Sequence, residues 1–503
     1  MINSVKVTAL VLFYHVLFAN PLKANTCIQK FSDRPPNKFN LSIHFIDTKE
    51  IDSVRMIVWE QYFTGRPIAI FPRKEYTVVG KKGSFNFVIS NVPKTFYFTL
   101  VDVKGNSIFP IELASGPLLG TTGDIVNCRV SNEKVNFSGA NEKLYNFQLL
   151  SRKVERELTN AYMGSFSLSV KDVASFARIY EKSSMFQHAI MNAQLAVLSG
   201  FEKGFYEDLN LLLKADIIGA RLDLISENYR NNVRLYINKQ FTEEKDREEA
   251  RNRLKKLYVQ YTVNKLGIEF PDSIMEYSKA YIPYLITKAK IEQLTEVQPD
   301  VMTSIKNNYQ GSIKDKLIAY YLATNYEQLD NLSSTLDREI EGLTTPRYKS
   351  ILKKLKTNFS FGSSVYQFTL PNAGGEMVRL SDLKGKIVLI DFWFTGCTAC
   401  SILYKDILKD IKQLVDTSKV AFVSISTDKQ KDQWLRSVES GKYTSPTAIN
   451  LYTEGKGSDH EVIRQFDVNA FPKLVLIDKN GKLLSNNKQL LNRDFLLKFL
   501  RAD

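Results

Sequence analysis

Two cysteines three positions apart, Cys397 and Cys400, follow an apolar run from Ile387 to Ile390 and the stretch Asp391-Phe392-Trp393-Phe394-Thr395-Gly396. A pair at that spacing can close a small disulfide ring if the second cysteine is held on a helix and the first stands at the helix N-terminus. Unpaired backbone N–H groups and the helix dipole favour a thiolate there. Cys397 is thus the candidate nucleophile of a dithiol–disulfide exchange, and Cys400 the resolving thiol. Zinc also uses this spacing, but it needs two more ligands, and the four histidines, His15, His44, His188 and His460, offer no suitable pairing. No metal and no cofactor is expected.

The elements that must hold these residues follow from periodicity. From Phe359 onward, apolar runs at Ile387 to Ile390, Val420 to Ile425 and Leu474 to Ile477 suit a sheet covered on both faces. Asp478-Lys479-Asn480-Gly481 is a turn signal leading to a hairpin partner at Lys482-Leu483-Leu484. Ile402, Leu403, Ile407, Ile411, Leu414 and Val415 are expected to form one apolar helix face directly after the cysteines. Further upstream, from about Phe39 to Gly139, the pattern alternates. Phe85, Phe87 and Ile89 fall on one strand face and Phe96, Phe98 and Leu100 on another, with turn signals between. From about Asn141 to Lys356 the period becomes helical, as at Leu254, Leu257, Tyr258 and Tyr261. Within the charge run Glu243 to Lys256, Glu243 with Arg247 and Glu249 with Arg253 stand at four-residue spacing on a solvated face.

The expected fold class is multidomain: an N-terminal all-β sandwich or barrel, a central all-α region and a C-terminal α/β domain. The expected limits are a leader at 1–24, the β-module at 25–140, the helical domain at 141–356 and the α/β domain at 357–503. At 503 residues the chain exceeds one ordinary core, and 44% hydrophobic with 24% charged residues is a globular balance. The net charge of +14 is spread along the chain and interleaved with acids, so a solvated basic surface is expected and no nucleic-acid partner.

Lys6, the apolar stretch Val7 to Phe18 and the small-residue site Leu22-Lys23-Ala24 read as an export signal cleaved after Ala24, with an uncleaved anchor as the alternative. Thr26 and Ala24 argue against a lipid-modified Cys27. Export places the cysteines where disulfides persist. Cys27 and Cys128, the two outside the redox motif, are expected to form a structural disulfide, and two unpaired buried thiols are the other reading.

The residues Gly385-Lys386-Ile387-Val388-Leu389-Ile390-Asp391-Phe392-Trp393, then Cys397-Thr398-Ala399-Cys400, then Phe471-Pro472 and Val475-Leu476-Ile477-Asp478-Lys479-Asn480-Gly481 resemble the thioredoxin superfamily, most closely its exported TlpA/ResA-like branch. The similarity covers roughly Phe359 to Asp503, under a third of the chain. It implies a cis peptide before Pro472, which would stand against the redox pair, with the backbone of Phe471 pairing with an extended substrate segment. It implies that Asp391 is a buried carboxylate behind the disulfide. Burial would raise its pKa and suit it to move the proton of Cys400. Trp393 would pack beside the disulfide. The chain departs from the family at Gly396, where many members carry tryptophan, at Leu403, where the branch often has glutamate, and at Thr398-Ala399, which lacks the proline common in thioredoxin.

The function expected from this resemblance is thiol-disulfide exchange in the periplasm, reducing disulfide-containing exported proteins, with a membrane thiol reductant system restoring the dithiol. The alternatives are a binding or scaffold protein with a vestigial redox domain and a peroxiredoxin-like peroxidase. The peroxidase lacks the threonine its chemistry places three residues before the reactive cysteine, since Phe394 precedes Cys397 at that distance. Oligomeric state is left open.

Overall fold

The computed structural model describes residues 38–46, 51–63, 70–102, 113, 116–131, 134–163, 170–262, 270–329 and 331–501. The expected leader and Cys27 lie outside them. The chain divides into two compact units, one of residues 1–64 and 72–317, the other of residues 65–71 and 318–503.

In the first unit, eight strands form two four-stranded sheets: β1 (Lys38–Phe45), β2 (Ser53–Trp59), β3 (Lys74–Val79), β4 (Ser84–Ser90), β5 (Thr95–Asp102), β6 (Leu118–Thr121), β7 (Ile125–Val130) and β8 (Val135–Ala140). One sheet has the order β4-β1-β7-β8 and the other β3-β2-β5-β6. The alternation of apolar residues buries Phe85, Phe87 and Ile89 on β4 and Phe96, Phe98 and Leu100 on β5. Phe39 of β1 meets Phe96 and Phe98 with ring centroids 5.0 and 5.4 Å apart, so the two sheets close as a sandwich. Each such buried ring contributes about 2 kcal/mol through area removed from water. Cys128 points into this core from β7 and is fully buried.

Helices complete the unit, among them α1 (Glu142–Met163), α2 (Val173–Ser199), α3 (Glu207–Asn231), α4 (Glu244–Thr262) and α5 (Tyr281–Leu294). The α4 face read from the sequence holds: Leu254 and Tyr261 are buried, and Leu257 and Tyr258 pack against the same cluster. Its charge pairing holds in part. Glu249 meets Arg253 at 2.6 Å, but Arg247 bonds Glu244 at 3.0 Å rather than Glu243. Glu243 precedes the first helical residue and accepts the Arg247 backbone N–H at 3.2 Å, while the Arg247 guanidinium is taken by Glu244 and by the carbonyls of Phe241 and Thr242.

The second unit contains α6 (Pro346–Phe359) and a five-stranded sheet of order β13-β12-β11-β14-β15. Its strands are β11 (Ile387–Trp393), β12 (Val420–Ser426), β13 (Ile449–Tyr452), β14 (Lys473–Ile477) and β15 (Leu483–Ser485), preceded by the short hairpin β9 (Thr369–Pro371) and β10 (Met377–Arg379). β11, β12 and β13 run parallel, whereas β14 pairs antiparallel with β11 and with β15. Helix α7 (Thr398–Leu403) follows the cysteine loop and passes through a π-wound turn at Tyr404–Leu408 into α8 (Lys409–Leu414). That turn corrects the apolar face expected there. Leu403 and Ile411 are buried and Ile407 and Val415 pack against the same cluster, whereas Leu414, beyond the wider turn, is exposed, and Ile402, which precedes the turn and stands about 100° from Leu403 around the helix, is exposed as well.

A buried ion pair fixes the start of β14. Lys473 Nζ bonds Glu327 and, at 3.3 Å, the carbonyl of Asn486, while both side chains are shielded from solvent. Next to it the Tyr326 hydroxyl donates to Asp467 at 2.9 Å, and the Tyr326 ring lies 4.8 Å from that of Phe359. Removing Lys473 takes the close partner from the buried Glu327 carboxylate, which keeps a longer contact to Lys488 at 3.8 Å. We expect Lys473→Met to lower unfolding free energy by ~3 kcal/mol and the double variant Glu327→Leu/Lys473→Met to recover much of it. Urea denaturation followed by far-UV circular dichroism checks both.

Candidate functional site

The central strand β11 sorts its side chains by alternation. Val388, Ile390 and Phe392 enter the core on one face of the sheet. Leu389, Asp391 and Trp393 take the other face, where Leu389 packs with Leu403 of α7 and Trp393 clusters with Cys397 and Cys400. Asp391 thus sits between them on the face that α7 covers. Its strand neighbours are Ser424 of β12 and Leu474 of β14. The carboxyl is buried, its Oδ1 has no hydrogen-bond partner among the described residues, and burial pushes its pKa up to about 8.

Past Trp393 the chain leaves the sheet, and polar contacts pin the loop. Thr395 donates its N–H and its hydroxyl to the two carboxylate oxygens of Asp428, at 2.9 and 2.7 Å. Ser426 donates to the same carboxylate at 2.9 Å, and Ser437 of α9 (Lys431–Glu439) bonds the Thr395 hydroxyl at 2.7 Å. Gly396 has φ of +100°, a backbone conformation that a side chain disfavours, and its N–H donates to the Tyr443 hydroxyl at 2.9 Å. The Tyr443 ring stacks on Trp393 at 5.0 Å, and the Trp393 indole N–H donates to Ser424 at 2.6 Å.

This loop delivers Cys397 to the N-cap of α7. Its sulfur accepts from the Cys400 N–H at 3.1 Å, and the two cysteines are joined as a disulfide. Cys397 is 6% exposed and Cys400 1%, so the first sulfur is the more accessible. Opposite them runs the loop into β14, where the Phe471–Pro472 peptide is cis. The Phe471 ring packs edge-on to Phe394, centroids 5.2 Å apart, and Phe394 is partly exposed. A cavity of about 250 Å³ opens beside Phe471, with Arg464, Val468 and Asn469 in its wall.

The arrangement brings Cys397, Cys400, Trp393 and Phe471 into one cluster with Trp434, Tyr443 and Tyr452. A carboxyl lies on the same sheet face. Such a set can hold a thiolate at a helix end, expel it into a disulfide, and accept a proton nearby. No group of three or more His, Cys, Asp or Glu side chains suited to a metal occurs among the described residues. Cys128 has no disulfide partner among the described residues, and its expected partner Cys27 lies outside them.

Residues 385–483 match the family model described as thioredoxin-like. The C-terminal region of this chain thus carries a thioredoxin-like domain. With its Cys-x-x-Cys pair it is an enzyme of the thiol-disulfide oxidoreductase class. Among sequence relatives, the thiol-disulfide oxidoreductase ResA of Bacillus subtilis is 27% identical over 129 residues, which are 26% of this chain and 68% of that protein. The thioredoxin-like protein YneN of the same species is 26% identical, over 27% of this chain and 74% of its own. Among solved structures, the thioredoxin domain of a thiol-disulfide oxidoreductase from Bacteroides vulgatus is 26% identical with a TM-score of 0.25, covering 28% of this chain and 99% of that one.

Sequence reasoning passed over Asp428, Tyr443 and Phe394. Asp428 had a legible signal: the polar run Ser426-Thr427-Asp428 stands at the carboxyl end of a parallel strand beside β11, where sites in such sheets are built. Tyr443 had none, since it reaches Gly396 across 47 positions.

The Asp391 carboxyl gives a signed pH dependence. Unfolded it loses its proton near 3.8 and folded only near about 8, so between those values the folded state binds more protons and stability falls as pH rises. Above about 8 the contribution is fully lost. In the Asp391→Asn variant this decline is expected to flatten, as read from urea midpoints across that window.

Proposed function

We propose that this enzyme acts outside the cytoplasm, in the periplasm, where it reduces disulfides of exported proteins. In the reduced enzyme the Cys397 thiolate attacks one sulfur of an exposed substrate disulfide. A mixed disulfide forms, and the displaced substrate sulfur takes up a proton. Cys400 then gives its proton to the Asp391 carboxylate and attacks Cys397. The second substrate thiol leaves, and the enzyme holds the oxidised pair. Two electrons have passed to the substrate, and a membrane thiol reductant system returns them to the enzyme. Metal and cofactor play no part in this scheme.

The observation that carries the reading is the disulfide at the N-cap of α7 with the raised carboxyl of Asp391 on the covered sheet face. A proton acceptor near about 8 is well matched to a thiol whose ordinary value is about 8.5. The aromatic pair Phe394 and Phe471 and the cavity beside them supply an apolar edge for an extended substrate segment, its backbone meeting that of Phe471. Trp393, stacked and hydrogen-bonded, forms the wall of the site.

Three variants test this together. Cys397→Ser is expected to abolish insulin-disulfide reduction, and Cys400→Ser to accumulate mixed disulfides on non-reducing gels of the exporting cell. Asp391→Asn should form the mixed disulfide at nearly the normal rate but release it at least about tenfold more slowly, the scale of a lost general base. No insulin-disulfide reduction by the parent chain for Cys397→Ser to abolish, together with no mixed disulfides trapped by Cys400→Ser, would instead support a scaffold with a vestigial redox domain.

The pairing of Cys27 with Cys128 and the limits 1–24, 25–140, 141–356 and 357–503 belong to the same proposal. Alkylation of the denatured, unreduced mature protein is expected to label neither upstream cysteine, and label on both would remove the pairing.

A further inference from the structure

The loop that carries Phe471 runs from Asp467 to Lys473. Its two end residues are buried, while Asn469 and Ala470 between them are exposed. It has no regular structure, and among the described residues the N–H groups of Asn469, Ala470 and Phe471 make no backbone hydrogen bond. Within it the Asn469 side chain donates to the Asp467 carbonyl at 2.9 Å. A segment without a ladder of its own owes its conformation to what holds its ends and to the Phe471 ring against Phe394.

Both ends are held by two consecutive residues, Tyr326 and Glu327, which open a short 3₁₀ turn in the same compact unit. At the first end the Tyr326 hydroxyl donates to Asp467 at 2.9 Å, and Asp467 has φ of +51°, a conformation few residues other than glycine adopt. At the second end Glu327 takes the Lys473 ammonium, which also lies over the Tyr326 ring, 6.0 Å from its centroid. All four side chains are buried. The turn is itself seated by the Tyr326 ring against Phe359. Well-packed apolar side chains of similar volume would stabilise these positions about as well. What a directed hydroxyl and an ion pair add is a fixed geometry, since each contact tolerates little displacement.

We propose that Tyr326 and Glu327 are positioning residues of the substrate site: by holding both ends of the loop they keep the Phe471 backbone set to pair with an extended polypeptide whose disulfide faces Cys397. This role rests on the redox reading above, in which that backbone meets substrate. A loop ordered in advance loses less conformational freedom when substrate docks. Loosening either end therefore weakens polypeptide binding and leaves the sulfur chemistry of Cys397 and Cys400 as it is. A disulfide without peptide groups has nothing to pair with Phe471, so its reduction is indifferent to the anchor.

Single-turnover oxidation of the reduced full chain, quenched with acid and followed by thiol labelling, tests this with two probes, insulin and hydroxyethyl disulfide. In Tyr326→Phe and in Glu327→Gln the second-order rate constant for insulin is expected to fall at least about threefold, the scale of one lost hydrogen bond. Where the rate saturates, the fall comes from a higher half-saturating concentration and not from the limiting rate. The rate constant for hydroxyethyl disulfide stays at the parent value. Should Glu327→Gln fail to fold with its lysine uncompensated, Tyr326→Phe, which keeps the ring against Phe359, decides alone. An unchanged insulin rate in Tyr326→Phe, or an equal loss with hydroxyethyl disulfide, overturns the anchor while the redox reading stands. A parent chain that does not reduce insulin ends the redox reading and the anchor with it.

Discussion

The register of β11 between β12 and β14 is the constraint on which the redox site depends. Hydrogen bonds on both edges leave this strand no freedom to slip, and a slip of one residue would exchange its faces. In the observed register Asp391 and Trp393 face the helix that carries Cys400, while Ile390 and Phe392 fill the opposite core. The same pairing sets Phe392 beside Lys473, which follows the cis peptide directly. One strand therefore positions the acid, the aromatic wall, the cysteine loop and the proline loop.

Two aspartates near that strand illustrate how surroundings decide chemistry. Asp428 is buried but accepts from Thr395 and Ser426, so its oxygens are occupied by hydrogen bonds and it serves to hold the loop. Asp391 is buried with one oxygen unpartnered, so its neutral form is favoured and it is suited to exchange a proton. Each hydrogen bond of the Asp428 clamp contributes about 1 kcal/mol or more. Together they hold Gly396 in a conformation that few residues adopt and set Cys397 at the helix tip.

Much of this was legible because local rules apply where partners are near in sequence. The apolar runs of the sheet, the alternation of Phe85 with Phe87 and the face of Leu254 with Tyr261 all followed from periodicity. The helix after the cysteines followed in part: Leu403, Ile407, Ile411 and Val415 share one cluster, but beyond the π-wound turn at Tyr404–Leu408 Leu414 faces solvent, and no residue type announces that turn. The side-chain pair of Glu243 with Arg247 was lost to other partners, since the guanidinium bonds Glu244 and the carbonyls of Phe241 and Thr242.

By itself the sequence determined the order of β, helical and α/β regions and the chemistry open to Cys397 and Cys400, because periodicity and a three-residue cysteine spacing are local properties. Only the tertiary structure decided how strongly Asp391 holds its proton and which groups clamp the loop before Cys397. Those properties depend on desolvation and on contacts between residues distant in the chain, and neither is encoded in any short stretch of it.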